Sequence, residues 1–336
     1  MKKFISVSDA GSIPGLIQSA LNFKASPHSQ KQLGQNKIIG LLFLNPSLRT
    51  RISTQVAAKN LGMETIVFNA DKDGWQLEFE DGAIMNGNST EHVKEAAAVI
   101  GQYVDILGVR SFPTLADREK DYSEYVINSF VKYSGVPVVS LESATLHPLQ
   151  SLADLITIEE FRSRGGGSPF GLPAGQAGGQ GAARWPKVVL TWAPHVKALP
   201  QAVPNSFAQW VNTWGEADFT IAHPEGYDLD EEFTKGATIT HDQDAALRGA
   251  DFVYVKNWSS YKDYGKILNS DPSWMITNKK IELTNSGKVM HCLPVRRNLV
   301  IADEVLDGPQ SIVVQQAGNR VWAAMAVLRE LLEDRS

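Results

Sequence analysis

Cysteine is nearly absent, with Cys292 standing alone in a chain of 336 residues. No internal disulfide can form, and a cytoplasmic setting is expected. Long apolar runs are missing as well. None approaches the roughly 20 residues that cross a bilayer. The N-terminal stretch from Met1 to Asp9 also lacks the sustained apolar core of a signal peptide. Positive charge is not in surplus. The formal net charge is −5, which argues against wholesale nucleic-acid binding and still permits a local basic pocket. No spacing of His, Cys and carboxylates suggests a metal site, and internal repeats are lacking.

The length suggests two domains, each large enough to bury its own core. Apolar, β-branched runs alternate with amphipathic stretches. Strands are expected at 38–44, 64–68, 105–109 and 136–141, then at 187–192, 218–222, 251–255 and 288–292. Helical periodicity falls between most of them, for example at 91–103, 147–161 and 242–249. This alternation predicts an α/β protein with two doubly wound parallel-sheet domains joined by bridging helices, of which 147–161 is one. The expected division is 1–146 and 147–317. A terminal helix within 318–336, striped by Val321, Ala324, Met325, Leu328, Leu331 and Leu332, is expected to pack back on the first domain. Residues 165–183 are dominated by Gly, Ala, Pro and Gln. They carry too little apolar surface to offset their ordering entropy, and read as an inserted surface loop in the second domain.

The stretch 38–51 carries the most chemistry. The apolar run Ile38 to Leu44 stops at Asn45-Pro46, and Ser47-Leu48-Arg49-Thr50-Arg51 follows. Ile52, Val56, Ala57 and Leu61 continue at helical spacing. Ser47 is then expected to cap the helix, with two arginines and a threonine in its first turn. Free N–H groups, the helix dipole, hydroxyls and guanidinium groups would converge there on a dianionic phosphate. Basic residues oppose the dipole, so a bound anion would account for them. A capped helix with two solvated arginines is the plain alternative.

Ligands of doubly wound proteins bind beyond the carboxyl ends of the strands. Placed on the expected strands, Ser47, Arg49, Thr50, Arg51, Trp75, Arg110, Glu142, His147, Gln150, His195, Lys197, Lys256, Cys292, Arg296 and Arg297 all fall on that rim. Each has an ordinary reading by itself: Trp75 as a packing aromatic, His147 as a helix cap, Cys292 as a small buried hydrophobe. Their clustering favours one shared cleft.

These residues resemble the carbamoyltransferases. The family's Ser-Thr-Arg-Thr-Arg motif has its counterpart in Ser47-Leu48-Arg49-Thr50-Arg51. His-Pro-x-Gln is matched by His147-Pro148-Leu149-Gln150, and His-Cys-Leu-Pro by His291-Cys292-Leu293-Pro294. The motifs stand in the family's order, and the likeness extends over nearly the whole chain. The Ser-Met-Gly segment by which ornithine carbamoyltransferases grip the free amino acid is missing, and Lys256-Asn257-Trp258 stands in the later region. Leu48 and Trp192-Ala193-Pro194-His195 look like the branch that carbamoylates N-acylated ornithines, and most like its succinyl-specific members.

The resemblance implies the roles. Ser47, Leu48, Arg49, Thr50, Trp75, Arg110, His147, Gln150, Cys292, Leu293 and Arg320 would hold carbamoyl phosphate in the first domain's site. Among them Arg49, Thr50, Arg110, His147, Gln150 and Cys292 would serve the transfer itself. Thr90, Glu142, His195, Lys256 and Arg296 would hold the acylornithine, with His195, Lys256 and Arg296 as cationic partners for its carboxylates. Acetyl-specific members carry a glutamate where this chain has Thr90, and succinyl-specific members a proline. A glutamate would repel a succinyl carboxylate, so threonine leans toward N-succinyl-L-ornithine. The family also implies a homotrimer with shared active sites, the loop near Thr90 reaching in from a neighbour, and no cofactor. Rival readings are an N-acetyl-L-ornithine or free-ornithine enzyme, and a non-catalytic anion-binding regulatory protein.

Overall fold

The computed structural model describes residues 1–70, 74–164 and 184–333. The chain divides into two compact units. Unit 1 is Met1–Leu152 together with the chain from Arg320 onward, and unit 2 is Ala153–Asn319. The Gly-rich segment 165–183 lies outside the described residues.

Unit 1 contains β1 (Lys3–Phe4), β2 (Ile38–Phe43), β3 (Glu64–Asn69), β4 (Leu77–Glu78), β5 (Glu91–His92), β6 (Ile106–Arg110) and β7 (Val138–Glu142). Five of them form a parallel sheet in the order β1-β7-β6-β2-β3, and β4 pairs with β5 separately. The central strands are mostly apolar, as expected where helices cover both faces of such a sheet. Ile39, Leu41, Leu42, Ile106, Leu107, Val109, Val138 and Val139 are all buried. Unit 2 contains β8 (Lys187–Trp192), β9 (Asp218–Ala222), β10 (Thr238–Thr240), β11 (Phe252–Lys256) and β12 (Lys288–Met290), all parallel in the order β10-β9-β8-β11-β12.

Each sheet reverses its winding once. In unit 1 the chain passes from β2 outward to β3, then returns to the other side of β2 with β6. In unit 2 it passes from β8 to β9 and β10, then returns beside β8 with β11. The two switch points, β2/β6 and β8/β11, are where crevices open beyond the strand ends. The expected strands are all present, within two residues at either end. Sequence periodicity missed β1, β4, β5 and β10, which are two or three residues long and too short to show a period.

The helices that bear on the sites are α1 (Ile13–Ala25), α2 (Arg49–Leu61), α3 (Val93–Ile100), α4 (Tyr125–Tyr133), α5 (Pro148–Arg164), α6 (Ala202–Trp214) and α7 (Val313–Glu333). α2 corrects one expectation. Its N-cap position is Leu48, which offers no side-chain acceptor, so Ser47 does not cap it. Its Ile52 and Val56 face outward, 52% and 38% exposed, in line with Leu48 at 65%. α2 buries Thr50, Ser53, Thr54, Ala57, Ala58 and Leu61 instead, a small and partly polar face. It ends at Gly62 with φ +86°, where a Cβ would stand 2.0 Å from the Lys31 carbonyl oxygen. Only glycine fits that stop.

α7 begins at Val313 rather than near 318. Its first turn carries Val313, Val314, Gln315 and Gln316, which read poorly as an apolar helical stripe. Within unit 1 its later part touches the earlier helices: Arg329 donates to Ser19 Oγ at 3.1 Å, and Asn60 Nδ2 lies 3.5 Å from Met325 Sδ. No helix among the described residues is long and apolar enough to cross a membrane.

Candidate active site

At the switch point of unit 1, two strand ends and the helices α2, α5 and α7 deliver polar side chains to one place. Arg110 closes β6 and Glu142 closes β7. The register shifts at Val109/Arg110, so these two residues stand opposite one another. Arg110 Nη1 donates to Glu142 Oε2 in a short ion pair and reaches Thr50 Oγ1 at 3.4 Å. Its guanidinium plane lies over Phe112, 4.6 Å from the ring centre. Arg320 Nη1 donates to Gln150 Oε1 at 2.5 Å, and its Nη2 donates to Thr50 Oγ1. His147 Nε2 lies 3.5 Å from Glu142 Oε2. Thr50, Arg110, Glu142, His147, Gln150 and Arg320 are each at most 8% exposed.

The electrostatics of this cluster are unbalanced. Burial, with Arg320 and Arg110 close by, pushes the His147 imidazole well below its ordinary pKa, so it is neutral at pH 7. Two guanidinium groups then face one carboxylate. Arg110 Nε and His147 Nδ1 are buried and meet no hydrogen-bond partner among the described residues. Unmet buried polar atoms cost about 1–3 kcal/mol each. The arrangement is costly for the fold and suited to an anion with several acceptor oxygens. Arg49, the first residue of α2, is half-buried beside Thr50 in sequence.

A residue that sequence reading missed holds this cluster in place. Glu124 precedes α4 at φ +52°. Its carboxylate accepts from Ser143 Oγ at 2.6 Å, Ala144 N at 3.2 Å, Thr145 N at 2.8 Å and Thr145 Oγ1 at 2.5 Å. It thereby ties down the turn between Glu142 and His147. Burial raises the Glu124 pKa against the pull of those bonds. Nothing local in the sequence marks this residue, because its partners lie about 20 positions downstream.

At the switch point of unit 2, Lys256 closes β11 opposite Trp192 in register. It is buried, and its ammonium donates to the Asn257 carbonyl at 3.1 Å. Arg296 Nε donates to His195 Nε2 at 3.2 Å. On the other side of the ring, His195 Nδ1 lies 3.0 Å from the Lys197 carbonyl and 3.1 Å from the Lys197 N–H. Partial burial, with Lys256, Arg296 and Lys197 nearby, lowers the His195 pKa. Lys256 and Arg296 are the permanent cations of this group, and Arg296 bonds to the His195 ring. Arg297 is separate from them. It is taken up by Asp303 at 2.9 Å and Asp307 at 2.7 Å. Cys292 lies two residues past β12 and is buried, and Leu293 follows at φ +57°.

The remaining expected residues are less engaged. Leu48 is exposed, and Ser47 is half-buried. Trp75 is 53% exposed, and its indole N–H donates to Glu91 Oε2 at 2.8 Å rather than joining the Thr50–Arg110 cluster. Thr90 is exposed just before β5, its N–H bonded to the Gln76 carbonyl at 2.9 Å. Glu142, expected among the acylornithine ligands, sits with Arg110 and His147.

Two parallel sheets of this topology, one carrying a buried guanidinium cluster at its switch point, define a doubly wound α/β protein equipped for an anionic ligand. Residues 2–160 match the model of the aspartate/ornithine carbamoyltransferase carbamoyl-P binding domain, and residues 201–331 that of the Asp/Orn binding domain. The chain belongs to the aspartate/ornithine carbamoyltransferase family. It is 48% identical over 336 residues to an N-succinylornithine carbamoyltransferase of Bacteroides fragilis, covering 99% of each chain. It is 36% identical over 352 residues to an N-acetylornithine carbamoyltransferase of Xanthomonas campestris, covering 99% of this chain and 98% of that protein. Among solved structures it resembles a glutamate-to-proline variant of N-acetyl-L-ornithine transcarbamylase complexed with carbamyl phosphate and N-succinyl-L-norvaline. That likeness has a TM-score of 0.86 and 34% identity, covering 98% of this chain and 100% of the other.

Proposed function

We propose that this protein transfers the carbamoyl group of carbamoyl phosphate to the side-chain amine of N-succinyl-L-ornithine, releasing N-succinyl-L-citrulline and phosphate in arginine biosynthesis. The convergence of Thr50, Arg110, His147, Gln150 and Arg320 on one buried, cation-rich cluster carries this reading.

In this reading the start of α2, with Arg49 and Thr50 in its first turn and Ser47 and Leu48 just before it, cradles the phosphate. Arg110 and Arg320 grip its oxygens and the carbamoyl carbonyl. Neutral His147 and Gln150 donate to the carbonyl oxygen as it gains charge. One such donor is typically worth ~10²–10³ in rate. The amine nitrogen attacks the carbamoyl carbon, and the bond from that carbon to the phosphate oxygen breaks. The amine must arrive neutral, against an ordinary pKa of about 10.4. The departing phosphate takes the proton, and no dedicated base is assigned. By the resemblance, the backbone at Cys292 and Leu293 would contact the reacting amine and carbamoyl group. Lys256 and Arg296, the latter oriented by His195, bind the carboxylates of the acylated amino acid.

Two observations favour the succinyl substrate. Identity is higher to the N-succinyl relative than to the N-acetyl one, 48% against 36%. Thr90 is uncharged where, by the resemblance, acetyl-specific members carry glutamate. In the solved relative, N-succinyl-L-norvaline is accompanied by loss of a glutamate.

The assembly in this reading is a cytoplasmic homotrimer that shares its active sites. Leu48, Ile52 and Val56 form an exposed apolar stripe on α2, and Trp75, Ile84 and Met85 are exposed on the segment that leads to Thr90. Packing between copies would cover both and bring Trp75 and Thr90 to a neighbour's site. The test of the reaction is N-succinylcitrulline formation from carbamoyl phosphate and N-succinylornithine. Tight binding of both without product would favour a regulatory role.

A further inference from the structure

Gln316, on α7, occupies a buried position between a carboxylate and a backbone amide. Its Nε2 donates to Asp154 Oδ1 at 2.7 Å, and its Oε1 accepts from the His291 N–H at 2.8 Å. Gln316 and Asp154 are both fully buried. A carboxylate only accepts, so Asp154 dictates which end of the amide faces it and therefore which end faces His291. The contact sequence continues. His291 Nδ1 accepts from the Leu293 N–H at 2.8 Å, which leaves the ring proton on Nε2. Leu293 sits at φ +57°, a backbone state that leucine rarely adopts and that neighbours must hold. The whole relay lies within unit 2.

We propose that Gln316, polarised by Asp154, is a positioning residue that fixes the His291–Cys292–Leu293 turn for carbamoyl transfer. The idea rests on the assignment of the Cys292–Leu293 backbone to the reacting groups. The relay does not touch substrate. It holds the amide of His291 at the strand end, and through the imidazole it holds the amide of Leu293. The Tyr254 phenol beside Asp154 and Cys292 stays protonated, since burial between them drives its pKa well up. Misplacement of a reacting geometry by about 1 Å costs on the order of 100-fold in rate. A fault here is therefore expected in kcat more than in the KM for carbamoyl phosphate, whose arginines stand in unit 1.

The experiment compares Gln316→Met with the double exchange Asp154→Asn plus Gln316→Glu. Methionine removes both hydrogen bonds at similar length. The exchange reverses the polarity of the first bond but keeps an acceptor on the His291 N–H and one buried carboxylate. Gln316→Met is expected to lose about 10–100-fold in kcat with little change in KM, and the exchange to recover most of that loss. The turn is also read without substrate. Cys292 is the sole cysteine, so its alkylation by iodoacetamide has no background, and it should quicken in Gln316→Met and return toward wild type in the exchange. Wild-type kcat and alkylation in Gln316→Met, or a folded exchange as impaired as Gln316→Met, overturns the proposal. Should Gln316→Met fail to fold, the exchange alone decides. If wild type shows no carbamoyl transfer, the functional reading fails, and the alkylation rates still judge the relay.

Discussion

Arg110 and Glu142 end neighbouring parallel strands and pair with each other in the interior of unit 1, beside a second buried guanidinium, that of Arg320. Removing one partner of a buried pair leaves a desolvated charge, at about 3–5 kcal/mol. Glu142→Ala should therefore lower the urea midpoint markedly. Added phosphate should restore part of the loss, because an anion that binds only the folded state stabilises it by mass action. An unchanged midpoint would mean that the pair is idle.

The His147 imidazole is held well below its ordinary value of 6.5 by burial and by Arg320 and Arg110. The unfolded chain takes up a proton below that value and the native state refuses it. Stability is thus fully present above the unfolded pKa and is lost as pH falls, by up to about 1.4 kcal/mol per pH unit for one proton. His195 is shifted in the same direction and adds to the loss. Unfolding free energies measured between pH 7.5 and 5 should decline, and His147→Gln should flatten the slope. A slope untouched by that substitution would contradict a buried, neutral His147.

Glu124 acts through the turn that precedes His147. Glu124→Ala strips the acceptor from two backbone amides and two hydroxyls. A loss of about 3 kcal/mol is expected from the amides left unmet. Activity should fall beyond what the remaining folded fraction explains. Thermal melts alongside turnover at a temperature where both proteins are folded would separate the two effects.

Thr90→Glu places a carboxylate where a succinyl tail would end. Repulsion between like charges should reduce use of N-succinylornithine while sparing N-acetylornithine. A discrimination of about 1–2 kcal/mol, roughly 5–30-fold in relative kcat/KM, is the expected scale. Equal loss on both substrates would remove Thr90 from acyl recognition.

The sheets were legible because buried parallel strands read as continuous apolar runs, and the cluster was legible because strand ends at switch points gather functional side chains. Arg110, Glu142 and Lys256 are each the final residue of a strand, so the apolar pattern located them directly. The helix start at Arg49 misled the reading of Ser47, since the residue that fills the cap position, Leu48, has no polar side chain. The spacing of Ile52 and Val56 marks a helix without telling which face turns inward: α2 buries Ser53, Thr54, Ala57 and Ala58 and leaves Ile52 and Val56 exposed. Glu124, Asp154 and Gln316 were invisible because their bonds are long-range and buried, and no local spacing announces them.

Relative kcat/KM for N-succinyl-, N-acetyl- and free ornithine, each with carbamoyl phosphate, tests the central claim most directly. Citrulline-type product should form fastest by far from the succinyl substrate. A higher kcat/KM with N-acetylornithine or with free ornithine, or no product from any of the three, would contradict it.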